Sequence, residues 1–167
     1  MREIVAIIHN VRSLHNVGSI FRTADAAGVS KIYLCGITPA PFDCFGKARP
    51  QVAKVALGAE KTIPWEAVRS PRAVSKLLEK LKKEGYKILA VEQSKNSVPY
   101  HKLKIKSAGR RTKLKIAIVM GNEVRGLPKG ILDKADKILE IPMKGRKESL
   151  NVSVAFGIAL FGLLYTR

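Results

Sequence analysis

Residues 4–8, Ile-Val-Ala-Ile-Ile, form an unbroken apolar run, and no other feature of the chain constrains its fold as much. A strand with one face in water alternates apolar and polar positions, whereas one that is apolar throughout is covered on both faces. Such strands belong to parallel sheets, whose crossover helices lie on either side. The next segments complete the unit. Residues 16–27 put Ile20, Ala24 and Ala27 on one helical face, Gly28 stands where that helix should stop, and residues 30–34 form a second strand. This βαβ opening predicts an α/β domain built on a mostly parallel sheet flanked by helices.

The rest of the chain fits the same plan. Residues 36–50 are rich in Gly and Pro and read as a long loop. Residues 51–57 read as a short helix ended by Gly58, and residues 61–63 as a short strand. From Pro71 to Glu84 the chain is an amphipathic helix. Pro71 suits its first turn, Val74, Leu77, Leu78 and Leu81 form the apolar face, and Gly85 stops it. Residues 86–91, 115–120 and 137–141 read as strands, residues 128–135 as a short helix, and residues 150–165 as an apolar closing helix. A length of 167 residues suits one domain, 1–167, without a linker.

Charge bears on function. Lys and Arg number 31 against 13 Asp and Glu, a net +18. Such a surplus attracts polyanions, of which nucleic acid is the commonest. A membrane surface is disfavoured, because no basic amphipathic helix with apolar anchors stands out and the longest apolar run, 152–165, is shorter than the ~20 residues of a span. Between His101 and Lys115 stand Lys102, Lys104, Lys106, Arg110, Arg111, Lys113 and Lys115, with no acid among them. This stretch is either a phosphate-contacting patch or a solvated loop. Its lack of aromatics suits backbone positioning better than base stacking. Cys35 and Cys44 have neither metal spacing nor a disulfide framework, and the start of the chain has no secretory pattern, so a cytoplasmic protein with reduced thiols and no metal is expected.

Common nucleotide signatures are missing. There is no Gly-x-x-x-x-Gly-Lys-Ser/Thr loop, no Gly-x-Gly-x-x-Gly after the first strand and no Gly-x-Ser-x-Gly elbow. Instead, three polar clusters sit at strand ends. The first holds Asn16, Gly18 and Arg22. Asn16 is placed as a helix N-cap, and Arg22, six residues on, points to roughly the other side of the helix at ~100° per residue. The two could be only a cap and a surface arginine. The second cluster, Gly121-Asn-Glu-Val-Arg-Gly126, follows a buried strand, and its glycines allow close approach of a ligand or simply a tight turn. In the third, Ser149 and Asn151 flank Leu150 where the closing helix starts, as caps or as part of an acceptor-binding site.

Together these clusters resemble the three motifs of the SpoU, or TrmH, family of RNA ribose methyltransferases in the SPOUT superfamily. The matching residues are Asn16-Val-Gly-Ser-Ile-Phe-Arg22, Met120-Gly-Asn-Glu123-Val-Arg-Gly126-Leu, and Ile141-Pro-Met143 with Ser149-Leu-Asn151-Val-Ser-Val-Ala155, in the family's order and over essentially the whole chain. The resemblance implies a C-terminal trefoil knot, S-adenosylmethionine as cofactor, methyl transfer to a ribose 2′-hydroxyl, and a homodimer with the active site near the subunit interface. It implies a cofactor pocket using backbone around Val91, Gly121, Ile141 and Leu150, and catalytic roles for Asn16, Arg22, Glu123, Ser149 and Asn151. Many relatives carry an added RNA-binding domain; none is expected here, which leaves Lys47, Arg49, Lys102, Lys104, Lys106, Arg110 and Arg111 as candidate RNA contacts. The basic stretch 144–147 could face RNA or only solvent. The third motif looks closer to the tRNA guanosine and 23S rRNA guanosine enzymes, and the length closer to the short wobble-position enzymes, so the substrate stands open between tRNA and rRNA. The rival expectation is a non-catalytic RNA-binding module of the same fold.

Overall fold

The computed structural model describes residues 2–103 and 113–165. Lys104, Lys106, Arg110 and Arg111 therefore lie outside the described residues. The elements run β1 (Arg2–His9), α1 (Leu14–Ala26), β2 (Lys31–Cys35), α2 (Pro50–Ala56), α3 (Ala59–Thr62), β3 (Trp65–Val68), α4 (Pro71–Lys83), β4 (Tyr86–Val91), β5 (Val98–Pro99), a 3₁₀ turn (Tyr100–Lys102), β6 (Leu114–Met120), α5 (Lys129–Leu132), β7 (Lys137–Glu140) and α6 (Val152–Tyr165).

The seven strands make one sheet in the order β3-β2-β1-β6-β4-β7-β5, and every pairing is parallel. The apolar runs occupy its centre, where both faces need cover. Ile4–Ile8 of β1 and Ile116–Met120 of β6 are buried and lie side by side in register, from Ile4 opposite Ile116 to Ile8 opposite Met120. One face packs against α1, α2, α3 and α6, with Phe21 and Phe156 fully buried. The other packs against α4 and α5, through Val74, Leu77, Leu78, Leu81 and Ile131. The result is the expected three-layer α/β domain.

Two features of this frame position the site. From β1 the chain crosses to β2 on one side, whereas β6 lies on the other, so the sheet has a topological switch point between β1 and β6. Ligands of open parallel sheets bind at the carboxyl ends of the strands at such points. The register also brings the carboxyl ends of β6, β4 and β7 together: Val91 pairs with both Met120 and Leu139.

Several local expectations need correction. Residues 61–63 are not a strand. Ala59–Thr62 is a turn of helix, because the Glu60 carboxylate accepts the Gly58 N–H at 3.0 Å and fixes a local start; the edge strand follows at Trp65–Val68. Asn16 is not the cap of α1. Ser13 is, its hydroxyl accepting the Asn16 N–H at 3.3 Å, so α1 starts earlier and the Asn16 side chain is released for other work. The closing helix begins at Val152 rather than at 150, and the strand and helix expected at 137–141 and 128–135 are shorter, at Lys137–Glu140 and Lys129–Leu132. Among the described residues, no helix is long and apolar enough to cross a membrane.

Candidate active site

A cleft of about 340 Å³ opens at the carboxyl ends of β4, β6 and β7. Its size falls in the range of small-molecule sites, roughly 300–1,000 Å³. Val91, Gly121, Ile141 and Leu150, the four expected backbone positions, all line it, as do Glu123 and Ser149. Met120, Leu139, Met143 and Val152 add apolar walls.

The floor depends on close backbone packing. A Cβ on Gly121 would stand 2.5 Å from the Gly126 carbonyl carbon and 2.7 Å from the Leu127 nitrogen, so only glycine lets the 121–126 turn fold back on β6. That turn is closed by paired bonds between Asn122 and Gly126, 3.2 and 3.0 Å. Gly126 itself has φ 62° and lies against the Glu92 carboxylate, which accepts the Leu127 N–H at 2.8 Å. On the other wall, Gln93 Nε2 donates to the Glu148 carbonyl at 2.6 Å and ties the 141–151 segment to the end of β4. The backbone N–H groups of residues 143–150 make no hydrogen bond among the described residues, so this wall keeps free donors.

A hydrogen-bonded chain links the three polar clusters at the mouth. The Glu123 carboxylate accepts the backbone N–H groups of Arg12 and Ser13, all at 3.1 Å, at the end of β1. It also accepts Asn16 Nδ2 at 3.1 Å. Asn16 Oδ1 in turn accepts Asn151 Nδ2 at 3.0 Å. Asn151 Oδ1 takes the Ser153 N–H at 2.9 Å and so caps α6. Each amide therefore has its orientation set by its neighbours. Burial pushes the Glu123 carboxyl up, but the N–H donors from its own backbone, Ser13 and Arg12, together with the Asn16 amide, outweigh it and hold the pKa below its ordinary value.

Not every expected residue joins this network. Arg22 is exposed on α1 and makes no hydrogen bond or ion pair among the described residues. Ser149 lines the cleft with its hydroxyl unbonded among the described residues. Lys47 and Lys102 are exposed; Arg49 is half-buried at the start of α2, with Nε buried and unbonded. Sequence reasoning missed Asn10 and Asn122. Asn122 donates to the Asn10 carbonyl at 2.7 Å, and Asn10 Oδ1 accepts the Ile37 N–H at 3.0 Å, which joins the ends of β1, β2 and β6. The signal was present in an Asn just beyond β1 and another just beyond β6; Asn10 has φ 58°, a left-handed backbone that Asn tolerates. Glu92, Gln93 and Glu148 were also missed as cleft residues.

The fold and cleft define a parallel α/β protein that binds a small ligand at a sheet switch point and presents a polar network at its mouth. The sequence model described as the SpoU rRNA Methylase family matches residues 3–161, and the chain belongs to that family. It is 36% identical to the tRNA (guanosine(18)-2′-O)-methyltransferase of Aquifex aeolicus, over 96% of this chain and 68% of that one. It is 34% identical to a 23S rRNA (guanosine-2′-O-)-methyltransferase of Neisseria meningitidis, over 94% of this chain and 56% of that one. Among solved structures, the AdoMet-bound rRNA methyltransferase of Sinorhizobium meliloti superposes with a TM-score of 0.79 at 30% identity, covering 96% of this chain. This chain spans 55% of that protein's length.

Proposed function

We propose that this chain transfers a methyl group from S-adenosylmethionine to a ribose 2′-hydroxyl of tRNA or rRNA. The observation that carries this reading is the single chain of hydrogen bonds through Glu123, Asn16 and Asn151, residues from three distant motifs, at the mouth of the cleft that Val91, Gly121, Ile141 and Leu150 line. The cleft residues fit the cofactor. Apolar walls suit an adenine ring, and free backbone donors on 143–150 suit its nitrogens and the carboxylate.

S-adenosylmethionine, when bound, supplies a methyl group already activated on a sulfonium. The protein's task is then alignment and charge stabilisation. Glu123 fixes Asn16, Asn151 fixes its other end, and the locked carboxamide and the Ser149 hydroxyl orient the ribose. Arg22 stabilises the developing 2′-oxyanion and clamps an adjacent phosphate. It does not act as the base, because a guanidinium stays protonated below pH ~12; the proton passes to phosphate or water. Arg22→Lys keeps the charge and loses the two-pronged geometry. Its expected effect is a fall of about 10²-fold in turnover with unchanged cofactor affinity; full activity in that variant would remove the clamp role.

The order of the strands supports the trefoil knot, because β7 enters between β4 and β5, both formed earlier in the chain, before 141–151 returns to Asn16. A homodimer is part of the same reading. The α6 residues Val154, Phe161 and Tyr165 are exposed and, with Ile158, form an apolar stripe suited to a second copy. Lys47, Arg49 and Lys102, together with Lys104, Lys106, Arg110 and Arg111, supply phosphate contacts within this domain, in the cytoplasm where tRNA and rRNA reside. Incubation with S-adenosylmethionine and total tRNA and rRNA, followed by mass-spectrometric mapping of 2′-O-methyl positions, tests the activity. A new modified position is the expected result. Cofactor binding without any methylation would favour the non-catalytic RNA-binding module.

A further inference from the structure

The cleft carries the opposite charge to the rest of the chain. Among the described residues its lining holds Glu92, Glu123, Glu140 and Glu148 and neither lysine nor arginine, although Lys and Arg outnumber Asp and Glu by 31 to 13. None of the ion pairs among the described residues reaches these four. Their partners are neutral. Glu92 accepts the N–H groups of Leu127 and Gln93 at 2.8 and 3.1 Å, Glu140 accepts the Ser97 hydroxyl at 2.7 Å, and Glu123 accepts the backbone and amide donors described above. The Glu148 side chain bonds to nothing among the described residues. Neutral donors do not cancel the charge of a carboxylate, as a paired cation would. The cations stand outside: Arg125, Lys144, Arg146 and Lys147 are exposed and line no part of the cleft.

Charge sorted in this way has two consequences. An RNA phosphate is drawn to the rim and repelled from the interior, while a cation is drawn in, because a cleft of one sign focuses the field. Two ligands can share every adenosine and amino-acid contact here and still differ at one atom. S-adenosylmethionine carries a positive sulfur; its demethylated form is a neutral thioether. We propose that the four carboxylates make the cleft select its ligand by the charge on sulfur, so that losing the methyl group weakens the hold on what remains. This rests on the methyl-transfer reading of the same cleft. The ligand class has independent support from the Sinorhizobium meliloti structure, which superposes on this chain in its AdoMet-bound form.

The test is calorimetric titration of the full chain with S-adenosylmethionine and with S-adenosylhomocysteine, in ~0.05 M and ~0.5 M salt. Glu148→Gln removes a charge whose side chain makes no hydrogen bond or ion pair among the described residues, and Glu140→Gln removes one while keeping an acceptor for Ser97. In each variant, and in the wild type at high salt, the ratio of the two dissociation constants is expected to move about 3- to 10-fold toward the neutral ligand. The loss should fall on S-adenosylmethionine, with S-adenosylhomocysteine nearly unmoved. Parallel changes for both ligands, or no change for either, overturn the selection by charge and leave the methyl-transfer reading intact. Failure of the wild type to bind either ligand removes both.

Discussion

Gly121→Ala is expected to abolish ligand binding and to loosen the fold around the cleft. The added methyl would meet the Gly126 carbonyl carbon at 2.5 Å and the Leu127 nitrogen at 2.7 Å. Both are backbone atoms, so relief requires the whole 121–126 turn to move. That motion strains the paired Asn122–Gly126 bonds and the Glu92 bond to Leu127, and it carries Glu123 away from Arg12 and Ser13. Overpacking of this kind costs about 1–3 kcal/mol. Thermal denaturation should show that loss, and calorimetry should show at least a ~10-fold weaker cofactor, because the shifted turn forms the cleft floor. Gly130→Ala, away from the cleft, is the control, since nothing lies within 4 Å of a Cβ there. Equal behaviour of the two variants would mean that the floor tolerates displacement.

Glu123→Gln should separate the role of this carboxylate in the fold from its role in the network. Glutamine can keep its one oxygen where Oε1 accepts Arg12, Ser13 and Asn16 Nδ2, but it sets an amide donor in place of Oε2, against the Arg12 N–H and Asn122 Nδ2. Losing hydrogen bonds to a charged acceptor costs about 1.5–3 kcal/mol, with the lower end apt because Glu123 is exposed. Turnover should fall as well, by about 10-fold, because Asn16 is then held by a neutral and weaker acceptor. The pH dependence gives a second readout. The native pKa lies below the ordinary 4.5, so the folded state favours the ionised form. Stability from this source is present above the unfolded-state value and is lost as pH falls through the folded-state value. Wild type should therefore lose more stability than Glu123→Gln on acidification below about pH 4.5. Parallel acid-denaturation curves would show that Glu123 does not hold the β1 and β6 ends together.

The sheet was legible because burial on both faces leaves a direct mark on composition. Ile4–Ile8 and Ile116–Val119 have no polar residue to misread, and Tyr86–Val91 emerged with the expected bounds. Short elements decided by one contact were not legible. The Glu60 carboxylate on Gly58 converted an expected strand into a helical turn. Val98–Pro99 is two residues long and exists only because β7 offers an edge to pair with. The site divides in the same way. Val91, Gly121, Ile141 and Leu150 were expected only through the family resemblance, and all four line one cleft. The Asn16–Glu123–Asn151 link was not legible, since it joins residues more than a hundred apart and follows from Ser13 taking over the cap. Asn16 and Asn151 each look like ordinary helix starts until the sheet brings them face to face.

The cleft walls come from three separate stretches, at β4, β6 and 139–155, and the last of these follows β7, which docks on the edge of β4. Pairings between residues so distant in sequence form slowly. A chain can thus build β1 to β4 and β6 and bury much of its core while it still has no place for a ligand. Competence arrives only when residues 137–155 have docked, late on the scale of loop closure. Ligand present at that moment would stabilise the completed form alone, in proportion to the logarithm of its concentration over its dissociation constant. The position of β7 thereby makes binding a report on whether this strand has docked.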